Sequence, residues 1–411
     1  MTTGEFLPTT AFTTKSHDQL REKVREFAET VVQPRIAAME ASRSVEFGLA
    51  HEISRQGWIG VTIGTEYGGM GLGHLAKTII IEELSRVSGA MGAMAQASML
   101  GVAKILHFGT EEQKSYWLPA IATGGCLPTI AVTEPASGGH VLGMTSTARR
   151  EGDEYVLNGR KVFVGNSHVG HLHGVVVRTG PGSRGLSAFL VESDRPGVFL
   201  GEYRPTMGLN GFSFGEIIFD NCRVPAVNRL GAEGDGLSVA YSSSILYGRL
   251  NLAAVSLGIH QAILEETLQF VAKRRHSDLE LSKEPTVKQK LGEMNASLIT
   301  ARVLAYHASH MLDEGIPCDA YLMNAKLQNV ELSLDSARTA MEVHAAHGLS
   351  AERRLERFVR DAYHIYAPAG TSDIQRLRLA EVAMQTPPHR SDWSELLAGE
   401  LRASSSALRA A

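Results

Sequence analysis

The stretch Ile365-Tyr366-Ala367-Pro368-Ala369-Gly370-Thr371-Ser372-Asp373-Ile374-Gln375-Arg376 decides how this chain is read. It follows the last amphipathic run, from Leu355 to about Ile365, and precedes a Ser- and Ala-rich tail after Pro388. Around it lie 411 residues, a length for about two to three domains. Hydrophobic residues make up 44% and charged residues 20%, enough to build a large core. The net charge of −4 offers no basic face for nucleic acid. Cys126, Cys222 and Cys318 are far apart, with no CxxC pair, which argues against zinc and against a disulfide framework. No metal is expected. The N-terminus lacks a basic region followed by an apolar run, and no stretch approaches ~18 uninterrupted apolar residues. The expectation is a cytoplasmic protein without a membrane span.

The pattern changes period twice. Residues 17 to about 125 read as helices: His17 to Glu40, about His74 to Ser88, about Gly89 to His107, and a further one opened by a capping box at Thr110-Glu111-Glu112-Gln113. A Gly-rich break falls at Glu66 to Gly73. From about Leu127 to Asn228 the runs are β-like. Glu154 to Val164 reads as two strands around Asn158-Gly159, the strongest short hairpin signal. His173–Arg178, Leu186–Glu192 and Glu216–Asp220 read as further strands. Long helices return with Leu237 to about Lys273, Thr286–Glu314 and Cys318–His347. The expected fold class is α+β, with a helical domain at 1–125, a small central β-barrel domain at 126–235 and a C-terminal four-helix bundle at 236–411.

Several motifs, in order, resemble the acyl-CoA dehydrogenase family. The opening stretch resembles that family's YEGTSEIQR signature. Glu66-Tyr67-Gly68-Gly69 resembles its EYGG turn, and Gly109 to Lys114 its GTEEQK helix start. Thr133-Glu134-Pro135 with Gly138 and Gly139 resembles its TEPGAGSD flavin loop. Leu157 to Lys161 resembles its LNGxK hairpin. Arg274-Arg275 and Leu291-Gly292-Glu293-Met294 resemble RxxFG and KLAEM. The resemblance covers residues 17 to about 385. It implies FAD bound between the β domain and the bundle, a homo-oligomer (dimer or tetramer) whose neighbouring subunit completes the FAD site, and an acyl-CoA or acyl-carrier-protein substrate. The electrons go to an electron-transfer partner or to oxygen.

Carried over position by position, the resemblance implies that Thr133, Gly138, Gly139, Phe163, Gly165, Arg274, Thr371 and Asp373 meet FAD, and that Arg249 and Gly139 meet substrate. Phe163 and Gly165 stand where the family has a flavin-stacking Trp and a Thr that bonds flavin N5. Gly139-His140 replaces the loop's Ser-Asp. Arg274 would reach the pyrophosphate of an adjacent subunit's FAD, and Ser277 replaces a phenylalanine beside the adenine. Glu342 falls where a glutamine faces the partner's FAD diphosphate, an unfavourable place for a carboxylate. Gln375 and Arg376 read as ordinary helix residues.

Without a gap from Arg360-Asp361-Ala362 to Gly370-Thr371, the position of the family's catalytic glutamate is Ala369. The family's other base position, just before an arginine on the first bundle helix, is Gly248. Both lack a carboxylate, and a positioned base contributes ~10²–10⁴ in rate. Replacement candidates are Tyr247, His344, His347, Glu342 and His140. Three readings follow: an acyl-thioester oxidoreductase with a displaced base or an unusually acidic substrate; a flavin monooxygenase or oxidase using room left by Gly165 and Gly139; and a catalytically silent flavin or acyl-chain binder.

Overall fold

The computed structural model describes residues 11–276 and 278–385. Ser277 and the tail after Pro388 lie outside the described residues. The N-terminal region carries α1 (Lys15–Phe27), α2 (Ile36–Ser42), α3 (Phe47–Arg55), α4 (Gly73–Val87), α5 (Gly89–Phe108) and α6 (Glu111–Ala122). The expected single helix from His17 to Glu40 is divided. A π turn at Ala28–Val32 and a 3-10 turn at Gln33–Arg35 separate α1 from α2, where Pro34 lacks the N–H that a regular helix would use. The capping box at α6 forms as read: Gln113 N–H donates to Thr110 Oγ1 at 3.3 Å, and Thr110 N–H to Gln113 Oε1 at 3.0 Å.

Helix α5 is rich in Ala, Gly and Met on every side, so no face of it suits water. It is long and apolar enough to cross a membrane by composition, yet 89% of its apolar window is buried inside the protein. It is the core helix. The N-terminal helices are joined to the C-terminal ones by buried ion pairs. Glu82 on α4 meets Arg302 at 2.9 Å and receives the Tyr306 hydroxyl, while within the N-terminal helices Glu83 meets Arg21 at 2.8 Å. The Asp313 carboxylate accepts from the first amides of α4, His74 N and Leu75 N.

The central strands are β1 (Pro128–Ala131), β2 (Thr147–Glu151), β3 (Glu154–Gly165), β4 (Leu172–Arg178), β5 (Leu186–Glu192), β6 (Val198–Leu200), β7 (Phe214–Pro225) and β8 (Arg229–Leu230). They form one eight-stranded sheet in the order β6-β7-β3-β2-β4-β5-β8, with β1 parallel to β4. The expected barrel takes this form, and its end strands β6 and β8 are not paired with each other in that order. Asn158-Gly159 is not a hairpin turn. β3 runs straight through it, paired along its length with β7, and the register slips between Leu157 and Gly159. Gly159 has φ +148, and a Cβ there would collide with Ser146. The pair is a bulge that lets two strands approach. The real turn is Gly152-Asp153 between β2 and β3, with Gly152 at φ +63.

The C-terminal region carries α7 (Gly236–Ser242), α8 (Arg249–Lys273), a short β9–β10 ribbon (Arg275–His276 and Leu279–Glu280), α9 (Pro285–Asp313), α10 (Asp319–His344), α11 (Arg354–His364) and α12 (Ser372–Ala383). The helix read as continuous from Leu237 to Lys273 is interrupted by a π segment, Ser243–Gly248, that ends at Arg249. Helices α8, α9 and α10 pack on one another, and α4 lies across α8. Gly258 permits that crossing, since a Cβ there would stand 2.7 Å from the Ser85 Cβ.

Candidate active site

Two distant parts of the chain meet where the sequence analysis placed the missing base. An ideal Cβ on Gly248 would lie 3.4 Å from the Ala369 Cβ, 3.5 Å from Leu100 Cδ2 and 3.6 Å from the Ser243 carbonyl. Gly248 closes the π segment, a wider turn that recurs at functional sites. Ala369 has φ +54, a left-handed conformation costing a non-glycine residue about 1 kcal/mol.

That conformation is held from below. Lys326, fully buried on α10, donates its ammonium to the Tyr366 carbonyl at 2.9 Å and the Gly370 carbonyl at 2.6 Å. Gln375, also fully buried, donates to the Ala369 and Gly370 carbonyls at 2.9 and 3.1 Å. Gln375 is therefore a clamp rather than an ordinary helix residue, whereas Arg376 pairs with Asp373 and Glu331. Sequence reading missed Lys326. Its one signal was a lysine between the apolar Ala325 and Leu327 on a helix.

The β domain reaches this segment through a run of rings. Phe163 lies on a bulge of β3 with φ +54 and is 63% exposed. Its ring centroid is 5.6 Å from Phe214, which is 5.2 Å from His364 at the end of α11. His364 was not among the candidates. Its Nδ1 is buried without a partner, and burial depresses the imidazole to about 4, so it is neutral at pH 7.

The loop from Thr133 is anchored by its acidic residue. The Glu134 carboxylate accepts from Thr145 N at 2.6 Å, Ser146 N at 3.0 Å and Lys161 Nζ at 2.7 Å. Burial alone would raise its pKa, but the bonds from Lys161, Ser146 and Thr145 outweigh it and hold the group at about 2. Gly138 and Gly139 are exposed, with nothing within 4 Å of a built Cβ. Gly165 is different. A Cβ there would stand 2.9 Å from the Ala97 Cβ and 3.2 Å from Phe212 Cζ. The room expected beside Gly165 is already filled on that side.

Most candidate bases stand elsewhere. Tyr247 is buried, with the Lys77 ammonium 4.2 Å from its ring centroid, the His74 ring at 5.0 Å and His107 Nε2 3.4 Å from its hydroxyl. It belongs to the packing between α4, α5 and the bundle. His344 stacks on Phe270 at 4.0 Å, and Phe270 lies about 33 Å from Gly248 along α8 at about 1.5 Å per residue. His344 therefore cannot serve this cleft within its own chain. His347 lies beside the same Phe270 ring. Glu342 is turned to Lys290 and Arg338, which resolves its expected conflict with a phosphate. His140 is exposed in the loop. Arg274 is exposed at the C-cap of α8, and Thr371 is the N-cap of α12. Asp373 is exposed and pairs with Arg376.

Three domain families match in sequence order: the acyl-CoA dehydrogenase N-terminal domain over residues 14–125, its middle domain over 129–222 and its C-terminal domain over 234–384. The chain belongs to the acyl-CoA dehydrogenase family. An acyl-CoA dehydrogenase of Bacillus subtilis (strain 168) is 32% identical over 371 residues, spanning 90% of this chain and 98% of that protein. Among solved structures, butyryl-CoA dehydrogenase of Megasphaera elsdenii superposes with a TM-score of 0.88 at 27% identity, covering 90% of this chain and 99% of that one. The prolyl acyl carrier protein oxidase AnaB superposes with a TM-score of 0.85 at 29% identity, covering 90% and 99%. As an acyl-CoA dehydrogenase family member, this chain has the three-part fold expected from its motifs.

Proposed function

We propose that this protein is an FAD-dependent oxidoreductase of acyl thioesters, carried on CoA or on a carrier protein, whose own chain supplies no carboxylate at the usual base positions. The observation that carries this reading is the ring run Phe163–Phe214–His364, which joins the exposed flavin-side aromatic to the segment bearing Ala369. The residues fit FAD. Gly138 and Gly139 leave an open, donor-rich loop, Phe163 offers an uncovered ring face, and Thr371 lies beside the clamped turn. Asp373 stands two residues further on. Arg274 is free to reach the pyrophosphate of a neighbouring copy's cofactor, which makes the working form a homo-oligomer. The protein is assigned to the cytoplasm.

Bound FAD supplies the acceptor for a hydride leaving the substrate β carbon. The chain's part is to hold the thioester over the cleft between Gly248 and Ala369, to exclude water with Leu100 and to keep the Ala369 turn rigid. The α proton must leave to a group other than Ala369 or Gly248, so the substrate α carbon is expected to be more acidic than that of a simple fatty acyl chain. The oxygenase alternative drew on room at Gly165 and Gly139; Ala97 and Phe212 occupy the room beside Gly165, whereas nothing lies within 4 Å of a Cβ built on Gly139.

The deciding experiment is anaerobic mixing of the FAD-loaded protein with acyl thioesters, following loss of the oxidised-flavin visible band. Reduction by a thioester supports the reading. Reduction only by NAD(P)H or a reductase, followed by oxygen-dependent product, replaces it with the monooxygenase. Loss of FAD affinity in Arg274→Ala tests the shared site, and unchanged affinity removes Arg274 from it.

A further inference from the structure

The turn after α11 is held by a buried charge that the reaction itself does not use. Lys326 on α10 is fully buried and donates to the Tyr366 carbonyl at 2.9 Å and to the Gly370 carbonyl at 2.6 Å, so one ammonium spans both sides of Ala369. The Gly370 carbonyl also accepts from Gln375 at 3.1 Å. Two buried donors therefore converge on a single carbonyl. Ala369 and Gly370 both have positive φ, +54 and +91. Such a conformation at a non-glycine residue persists only where its surroundings over-determine it.

The grip on Gly370 has a consequence on the other side of the same peptide. No described peptide bond is cis, and a trans peptide sends its N–H opposite its C=O. The Gly370 carbonyl points at Lys326, so the Thr371 N–H points away from it. That N–H donates to no backbone or side-chain acceptor among the described residues. Thr371 is the N-cap of α12, and its own side chain does not cap the helix. Turning this peptide over would aim the N–H at a buried cation.

We propose that Lys326 is a positioning residue for FAD: by gripping the Gly370 carbonyl from inside the protein, its ammonium presents the Thr371 amide outward as a donor to the bound cofactor. This rests on the FAD-dependent reading above and adds to it a residue that acts only through the backbone. A charged donor suits the task, because charge-assisted bonds are shorter and about twice as strong as neutral ones. Burial pushes the ammonium down to about 8, with Arg249 of α8 adding to the fall and Glu331 of α10 opposing it. Glu331 is itself paired with Arg376 of α12. The charged grip is complete below that value and is lost above it, so FAD affinity should be level on the acid side and fall on the alkaline side.

The test is FAD release from the loaded, full-length protein, read as flavin fluorescence regained on dilution. Lys326→Met, which keeps the length and removes the donor, should raise the dissociation constant about tenfold or more. Lys326→Arg, which keeps the charge, should stay within about threefold of the parent. In the parent the constant should rise with pH above about 8, and Lys326→Arg, charged throughout, should abolish that rise. A Lys326→Met protein that holds FAD as tightly as the parent overturns the inference and leaves the FAD-dependent reading intact. A rise with pH that survives in Lys326→Arg does the same. A parent that binds no FAD at any pH overturns both. Should Lys326→Met fail to fold, the pH series on the parent decides by itself, and a flat profile overturns the inference.

Discussion

Gly248 and Ala369 face each other across 3.4 Å, measured from a Cβ built on the glycine. One lies at the end of a π turn and the other on a clamped left-handed residue. A carboxylate placed on either would enter the same space, so the two base positions implied by the family resemblance are one site reached from two sides.

We therefore expect Gly248→Glu to raise α,β-desaturation of a simple acyl-CoA by about tenfold or more, within the ~10²–10⁴ that a positioned base supplies. Its Cβ would meet neighbours only at ordinary contact distances. Ala369→Glu should give less, because glutamate at φ +54 carries the left-handed penalty. The double variant should fall below the better single one, since two adjacent carboxylates retain a proton between them. Steady-state rates with butyryl-CoA check the order. Parent activity already matching ordinary relatives, with no gain in either variant, would point to another base.

Phe163 is 63% exposed on a strained bulge, so its side chain contributes little to the fold itself. Phe163→Ala should weaken FAD retention severalfold while leaving the melting temperature of the apoprotein nearly unchanged. Flavin fluorescence released on dilution, compared with a thermal melt, separates the two effects. A large drop in melting temperature with normal FAD retention would make Phe163 a packing residue.

The Glu134–Lys161 pair is 2.7 Å long, with side chains 3% and 0% exposed. Removing one partner of a buried pair costs about 3–5 kcal/mol, so Glu134→Gln should lower stability by that order in urea melts. The folded carboxyl is held at about 2, below its ordinary value of 4.5. A depressed acid stabilises fully above the ordinary value and loses that contribution as pH falls through the folded one. The gap between parent and variant should therefore narrow on acidification toward pH 2. A gap constant with pH would show that shape, not charge, sets the effect.

Gly165→Ala places a methyl 2.9 Å from the Ala97 Cβ. Overpacking of this kind costs about 1–3 kcal/mol. The variant should melt lower, and Ala97→Gly in the same chain should restore much of the loss. If Gly165→Ala is neutral and oxygen reoxidation of the reduced flavin slows instead, the open-cleft reading of Gly165 returns.

Much of the fold was legible in the sequence because long helices carry periodic apolar faces and their ends carry their own chemistry. The capping box at Thr110 and Gln113 formed as read, since both bonds are local. Asn158-Gly159 misled for the opposite reason. The pair suits a turn, but β7 lies alongside β3 throughout and turns the glycine into a bulge, while Gly152-Asp153 makes the reversal. The π segment before Arg249 was invisible, because one extra residue per turn leaves no mark on composition.

By itself the sequence determined that Ala369 lies an ungapped count after Arg360-Asp361-Ala362 and that Gly248 directly precedes Arg249, the two places where the family resemblance implies a base. Only the tertiary structure decided that these positions touch, that Lys326 and Gln375 hold the turn between them, and that Tyr247 and His344 are committed to packing elsewhere. The physical reason is range. Local capping and periodicity are written within a few residues, whereas the burial and partners that set the charge of a lysine or an arginine come from helices far away in the chain.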